Sequence, residues 1–482
     1  MSLNMDIMHI VMSYADRRVV SNLMKTCKTL NSEGVKYLLE DGVSLRRKRT
    51  LKSFNRFLSA RKNVKQCIRR LAFLKRLSLD FYHPSEASAR LLEGIFEILV
   101  QVSSDFASLE IFNAEVLLAA HPPLGAAIAK LTTLKTLNVS DAGGDHCATL
   151  LRTHQSSLTS VDINFNAANE DPGDAAAGRS YMNPILLLER SQSTLESLST
   201  TFSASSPDGP CYANVTSLSI TCIDLPVIED YIRAFPNLLS LSSFECCGFR
   251  EEDQERWEDR RATSMLHQAR HGTWRSLRHY VGSVLDLWTF GLTCRIQTVK
   301  MGFPQSTVDP TMLNDVLSHA RPSALHLTLP GALCLLDAAV LSVLSVERGL
   351  RELDLRVLLH LNGNDQAVSV PVVLDLLVDL VRAAAVPTFR LKLDMSWMRA
   401  GSDGEEPPPT MPFEAYLQDM DVDAYADTLL ARVASLKEVQ VSVVRLREGP
   451  TRQADRKRPQ SGGGNLNTTD ASDQGPGDGD EV

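Results

Sequence analysis

The chain has 482 residues, 44 % of them hydrophobic and 22 % charged, with a formal net charge of −8 at pH 7. That is the make-up of a globular chain with ample material for a core, and the acidic balance argues against a whole-protein affinity for nucleic acid or anionic membrane. The opening residues lack the basic flank and apolar centre of a signal peptide, and Asp375 and Asp379 interrupt the best apolar run, Val370 to Val386, so no membrane span is expected.

The first 45 residues predict three short helices. Leu3, Ile7, Ile10, Val11 and Tyr14 recur at helical spacing. Asp16 is placed to cap a second helix with Val19, Val20, Leu23, Met24 and Cys27 on one side, and a third carries Tyr37, Leu38 and Leu39. Helices of this size bury too little apolar area to be comfortably independent, so part of their surface is expected to need a partner or the following segment. From Gly42 to Leu79 there is no acidic residue and there are thirteen Lys and Arg. Leu51, Phe54, Phe57 and Leu58 are spaced to face inward, so residues 46–73 read as a basic helical linker with solvated cations. A nuclear import signal, a phosphate-binding face or an acidic-substrate contact are the functional alternatives. No interleaved aromatics suggest base stacking, and no nucleic-acid partner is expected.

From residue 74 to 447 a pattern recurs: apolar, two variable, apolar, one variable, apolar. It reads Leu74-Leu77-Leu79, Phe106-Leu109-Ile111, Leu134-Leu137-Val139 and Leu158-Val161-Ile163, then Val215-Leu218-Ile220, Ile296-Val299-Met301, Leu350-Leu353-Leu355 and Leu436-Val439-Val441. Incomplete copies lie at Leu195-Leu198 and Leu238-Leu241 and near Leu277, Leu325 and Leu391. The last apolar pair alternates with period two, as in a short strand with one buried face. Helical segments lie between copies: Ser85 precedes Leu91, Leu92, Ile95, Phe96 and Leu99, Asp309-Pro310 precedes Leu313, Val316 and Leu317, and Asp224 with Pro226 starts another. A strand then a helix every 20 to 40 residues or so resembles the leucine-rich repeats, whose units stack because one alone cannot bury its apolar face. Asn166 and Cys246 fall on that family's turn position, while Ala114, Ala142 and Ile223 depart from it. Loops interrupt the array at Asn169 to Ser180 and Gly401 to Pro412. The expected fold class is α/β, an irregular leucine-rich-repeat solenoid behind a small three-helix module. After Arg447 the chain turns glycine-rich with an acidic end, and residues 448–482 are expected to be a disordered tail.

The opening module resembles an F-box. Leu3-Asn4-Met5-Asp6-Ile7-Met8, then Asp16-Arg17-Arg18, then Thr26-Cys27-Lys28 follow that family's order of apolar start, acidic residue, polar corner and second helix. Asn4 stands where the family has proline. Asn is a strong N-cap, and Asp6 lies at the positive end of the helix dipole, so helix initiation is expected to survive. The resemblance implies a substrate receptor of an SCF-type cullin–RING ubiquitin ligase. Its adaptor-binding residues would be Leu3, Ile7, Met8, Ile10, Val11, Val20, Leu23 and Met24, facing a Skp-type adaptor. Substrate would lie on a concave repeat face at Glu110, Phe112, Asn138, Asp162, Asn164, Ser199, Ser219, Thr221, Asp354 and Arg356. The alternative is a scaffold outside any ligase, whose N-terminal helices only cap the solenoid.

No enzyme chemistry is expected. The sequence has no phosphate-cradling glycine loop, no His-Glu-x-x-His and no Gly-x-Ser-x-Gly. Nine cysteines with no Cys-x-x-Cys spacing read as reduced, mostly buried residues of an intracellular protein, in cytoplasm or nucleus. The sequons at Asn138, Asn214 and Asn467 are then chance matches. His267 and His271, four apart, could share a helix face, but no third metal ligand accompanies them. No cofactor, metal or membrane partner is expected.

Overall fold

A computed structural model describes residues 5–58, 64–102, 105–165, 182–222, 225–244, 254–303, 309–345, 349–359, 368–395, 412–444 and 450–459. Leu3, Asn4, Asn166, Ile223, Asp224, Cys246, the expected loop Asn169 to Ser180, residues 401–411 of the second expected loop and the acidic end lie outside them.

Three helices come first: α1 (Met5–Tyr14), α2 (Arg17–Met24) and α3 (Lys28–Leu39). Strand β1 (Val43–Leu45) is followed by α4 (Lys48–Leu58) and α5 (Val64–Leu71). Next come β2 (Arg76–Asp80), α6 (Glu86–Gln101), β3 (Ser108–Phe112), α7 (Ala114–Ala119), α8 (Pro122–Ala129), β4 (Thr136–Ser140), α9 (Asp145–Thr153) and β5 (Ser160–Asn164). Beyond these lie α10 (Pro184–Leu187), β6 (Ser197–Ser203), β7 (Ser217–Cys222), α11 (Ile228–Ala234), β8 (Ser240–Ser243) and α12 (Gln254–His271). The later part holds β9 (Ser276–Ser283), α13 (Val284–Phe290), β10 (Arg295–Gly302), α14 (Pro310–Ala320), β11 (Ala324–Leu329), α15 (Ala338–Ser345) and β12 (Glu352–Leu358). It ends with α16 (Val370–Ala384), β13 (Thr388–Asp394), α17 (Pro412–Asp419), α18 (Val422–Arg432), β14 (Glu438–Val444) and β15 (Arg452–Lys457).

All fifteen strands form one sheet in chain order; β1 to β14 run parallel and β15 returns antiparallel on β14. Parallel neighbours need a crossover, and crossovers are right-handed. When each strand is added on the same side of the last, every such crossover passes over the same sheet face. The helices cover that face and leave the other bare. This is a solenoid-like α/β architecture.

The repeated leucines form its spine. Leu77, Leu109, Leu137, Val161, Leu198, Leu218, Leu241, Tyr280, Val299, Leu325, Leu353, Phe389 and Val439 are register partners in one continuous row, and all are buried. The apolar cluster runs unbroken from Met8 to Ala454. The helix starts follow ordinary capping: Ser85 Oγ accepts from the Ser88 amide at 3.3 Å, and Asp309 Oδ1 accepts from the Thr311 and Met312 amides at 2.7 and 3.2 Å, with Pro310 opening α14. Val227 holds the N-cap position of α11.

The structure departs from two expected boundaries. The sheet starts at β1, within the expected 1–45 module, with Val43 and Leu45 paired to Leu77 and Leu79. In the expected helical segment 46–73 the described residues include α4 and α5, with Leu51, Phe54 and Leu58 buried and Lys48, Arg49, Lys52 and Arg56 exposed. The expected disordered tail contains β15. Its side chains hold it: Arg452 Nη1 donates to Met420 O at 2.8 Å, Arg456 Nε to Asp427 at 2.9 Å, and Arg458 Nη1 to Ala434 O at 3.0 Å. Arg458 thereby satisfies carbonyls beyond the end of α18, where a cation is favoured.

Candidate functional site

Two surfaces lack the partner their chemistry calls for. The first is on α1, which is apolar on two sides. Met8 and Met12 face the core, while Ile7, Ile10, Val11 and Tyr14, at spacings of three and four, form an exposed stripe. Their exposures are 58, 59, 42 and 90 %. On α2, Val20 and Met24 are buried, Val19 is exposed and Leu23 is partly buried against the core. Met8, Val20 and Met24 are therefore core residues and not docking residues, because one turn of helix cannot present the same side chain both inward and outward. The module is fixed by Asp16, which accepts from the Val19 amide at 2.9 Å, by Arg17 Nη2 donating to Gly42 O at 2.9 Å, and by His9 with Tyr37 Oη at 2.9 Å.

The second surface is the bare sheet face. All ten expected concave-face residues point from it, none of them buried. Glu110, Asn138, Asp162, Ser199 and Ser219 stand side by side as cross-strand neighbours. Asn164 and Thr221 flank Thr201 in the next row, and Phe112 ends β3. Asp354 and Arg356 lie five strands further, on β12, so the ten residues do not form one site.

The face changes character along its length. From β3 to β8 it carries small hydroxyl, amide and carboxylate groups. From β10 to β13 it carries a lattice of charge. His326 Nδ1 lies 2.9 Å from Asp354 Oδ2, and its Nε2 lies 3.8 Å from Glu352. Arg390 pairs with the same Glu352. Arg356 donates from Nε at 2.9 Å and from Nη2 at 2.5 Å to Asp394, which is fully buried. Lys300 is the register partner of His326, and Lys392 that of Arg356. Among the described residues neither lysine has a carboxylate partner.

A hollow of about 370 Å³ opens here. Lys300, His326, Asp354, Arg356 and Lys392 line its charged side, and Phe244, Val281 and Met301 its apolar side. Gly302 leaves the position between Ser283 and Thr328 without a side chain. Lys300, His326 and Lys392 were absent from the expected set, although each sits between two strand hydrophobics by the same alternation that placed Asp354.

Ser191 Oγ lies 2.7 Å from His154 Nε2, but both side chains are buried and His154 Nδ1 bonds the Leu151 carbonyl at 2.6 Å. Burial pushes the His154 pKa down. Burial also raises the thiol pKa of Cys67, pushes Cys294 up to about 11 and holds Cys147 well above the ordinary range, which leaves each an unreactive thiol. The rings of His267 and His271 lie with centroids 4.5 Å apart and their planes tilted by 36°. Among the described residues no group of three or more His, Cys, Asp and Glu could hold a metal ion, and no helix is long and apolar enough to cross a membrane.

No family model and no curated protein matches this chain.

Proposed function

We propose that this chain is an F-box-type substrate receptor of a cullin–RING ubiquitin ligase, built on a leucine-rich-repeat solenoid. The α1–α2 module docks a Skp-type adaptor, and the bare sheet face holds a protein target. The chain supplies proximity and no chemistry: tethering the target raises its effective concentration at the ligase.

The observation that carries this reading is the outward stripe of Ile7, Ile10, Val11 and Tyr14. A helix that served only to cap the solenoid would bury its inner stripe, as Met8 and Met12 do, and turn polar residues to water. Covering what remains exposed of each aliphatic side chain is worth about 1 kcal/mol. Leu23 contributes less, since it already packs on the core.

The test is a pull-down of purified Skp-type adaptor by the wild-type chain and by Ile7→Asp with Ile10→Asp. Wild type is expected to bind and the double variant to bind at least about 100-fold more weakly. Absence of binding by wild type removes the proposal. A scaffold that recruits no ligase is the second reading, favoured by the burial of Met8, Met12, Val20 and Met24 in the solenoid's own core. It requires the double variant to keep both its target and its cellular role.

A further inference from the structure

We infer that the hollow over β9 to β13 binds an acidic peptide segment of the target protein, with carboxylates between Lys300 and Lys392 and one apolar side chain against Phe244 and Val281. The inference rests on the substrate-receptor reading of the bare face and names its ligand class.

The charge pattern comes first. Arg356 and Lys392 are direct cross-strand neighbours, and like charges in that position destabilise a sheet. Asp394 neutralises Arg356 from below, Glu352 occupies Arg390, and Asp354 occupies His326. Arg356 and Arg390 thus each have an acid, whereas Lys300 on β10 and Lys392 on β13 have none among the described residues. A chain with a net charge of −8 has acids to spare, yet none of the described ones reaches these two lysines. The complementary group is an anion from outside.

Shape then selects among anions. Five strands about 4.8 Å apart span about 19 Å, the length of roughly six extended residues. A lone phosphate would reach one lysine and leave the rest of the hollow empty. The opposite side is apolar, with Phe244 51 % exposed. A polyphosphate or nucleic-acid backbone has nothing to place there, whereas an acidic peptide with an aromatic or aliphatic residue satisfies both sides. Aromatic side chains beside satisfied hydrogen-bonding groups are the usual anchors of such contacts.

The experiment uses the full chain without any adaptor, so its failure leaves the adaptor reading untouched. The probe is a fluorescein-labelled hexapeptide, Glu-Asp-Phe-Glu-Asp-Glu, followed by fluorescence anisotropy in about 50 mM salt. Lys300→Glu with Lys392→Glu is expected to weaken binding at least tenfold, with an unchanged melting temperature and a weaker response to added salt. Phe244→Ser, or Ser in place of the peptide's Phe, is expected to weaken it threefold or more. Lys300→Gln with Lys392→Gln, which adds no negative charge, should give an intermediate loss. No binding of the probe up to 1 mM, or equal binding by the charge-reversed variant, overturns the inference. So does displacement of the probe by tripolyphosphate combined with indifference to the Phe-to-Ser change, which would mark a general polyanion site.

Discussion

Turning α1 by one residue's worth of rotation exchanges a core position for a surface one, and the consequence can be measured without any partner. Ile10 is 59 % exposed and Met12 1 %. Ile10→Asp loses little packing and some helix propensity, about 0.5 kcal/mol together. Met12→Asp forfeits the roughly 1.5–3 kcal/mol of a buried side chain and places a carboxyl in an apolar site, about 4 kcal/mol or more in total. Because the module sits at the end of the array, it can open without global unfolding. Hydrogen exchange at the amides of α1 to α3 is therefore the sensitive assay. At about 1.4 kcal/mol per factor of ten, Met12→Asp is expected to accelerate exchange there by several hundredfold or more, and Ile10→Asp by less than about threefold. Equal acceleration in the two variants would mean that the outer stripe is packed, and the assignment of α1's two faces would fail.

Other expectations concern the joints between successive units. Gly144 gives α9 no side-chain cap, and Glu115 from α7 supplies it, accepting from the Cys147 amide at 2.9 Å and from His146 Nδ1 at 2.7 Å. Burial raises the Glu115 pKa, but these donors outweigh it and hold the carboxyl below its usual range. A depressed folded pKa stabilises above the unfolded value of about 4.3 and is lost as pH falls below it. Glu115→Gln should cost about 1–2 kcal/mol at pH 7 and flatten the acid limb of a plot of melting temperature against pH; an unchanged limb refutes the cap. His154 is likewise depressed, chiefly by burial, so its contribution is full above about pH 6.5 and declines as pH falls toward its folded pKa. Replacing it with Leu should remove that decline in a pH series of thermal melts, and a persistent step would point to another group. Gly282→Ala would set a Cβ 2.5 Å from the Ser243 carbonyl and 2.6 Å from the Tyr280 hydroxyl; urea denaturation should register a loss of about 1–3 kcal/mol, and a change under about 0.5 kcal/mol would contradict the close approach.

The strand ladder was legible because period two survives in the apolar residues themselves: Leu77 and Leu79, or Leu353 and Leu355, need no context to be read as one buried edge. Two strands were not. In β1 only three residues pair, too few to show a period beside the basic run that follows. In β15 just one side chain, Ala454, is buried, since an edge strand held by arginines carries no hydrophobic alternation. The exposed stripe of α1 was half legible. A helix apolar on two sides gives no signal to say which stripe goes inward, so the sequence alone does not separate Met8 from Ile7. The hollow was illegible for a different reason. Lys300 and Lys392 are 92 positions apart, and only the register of three intervening pairings brings their strands into one surface.

The two ends of the sheet bear on how the molecule coexists with its own copies. An open parallel edge offers unpaired amides and carbonyls to any passing strand, and a structure built by serial addition is the kind most easily extended by one more unit. At one terminus the exposed edge is only Val43 to Leu45, too short to template another chain. At the other, the direction of the backbone reverses, and Arg452, Arg456 and Lys457 charge the outermost strand. A newcomer there would meet a mismatched polarity and charged side chains already engaged by their own chain, Arg456 with Asp423 and Asp427 and Lys457 with Glu438. A short strand on one flank and a reversed, charged strand on the other both disfavour the addition of a further unit.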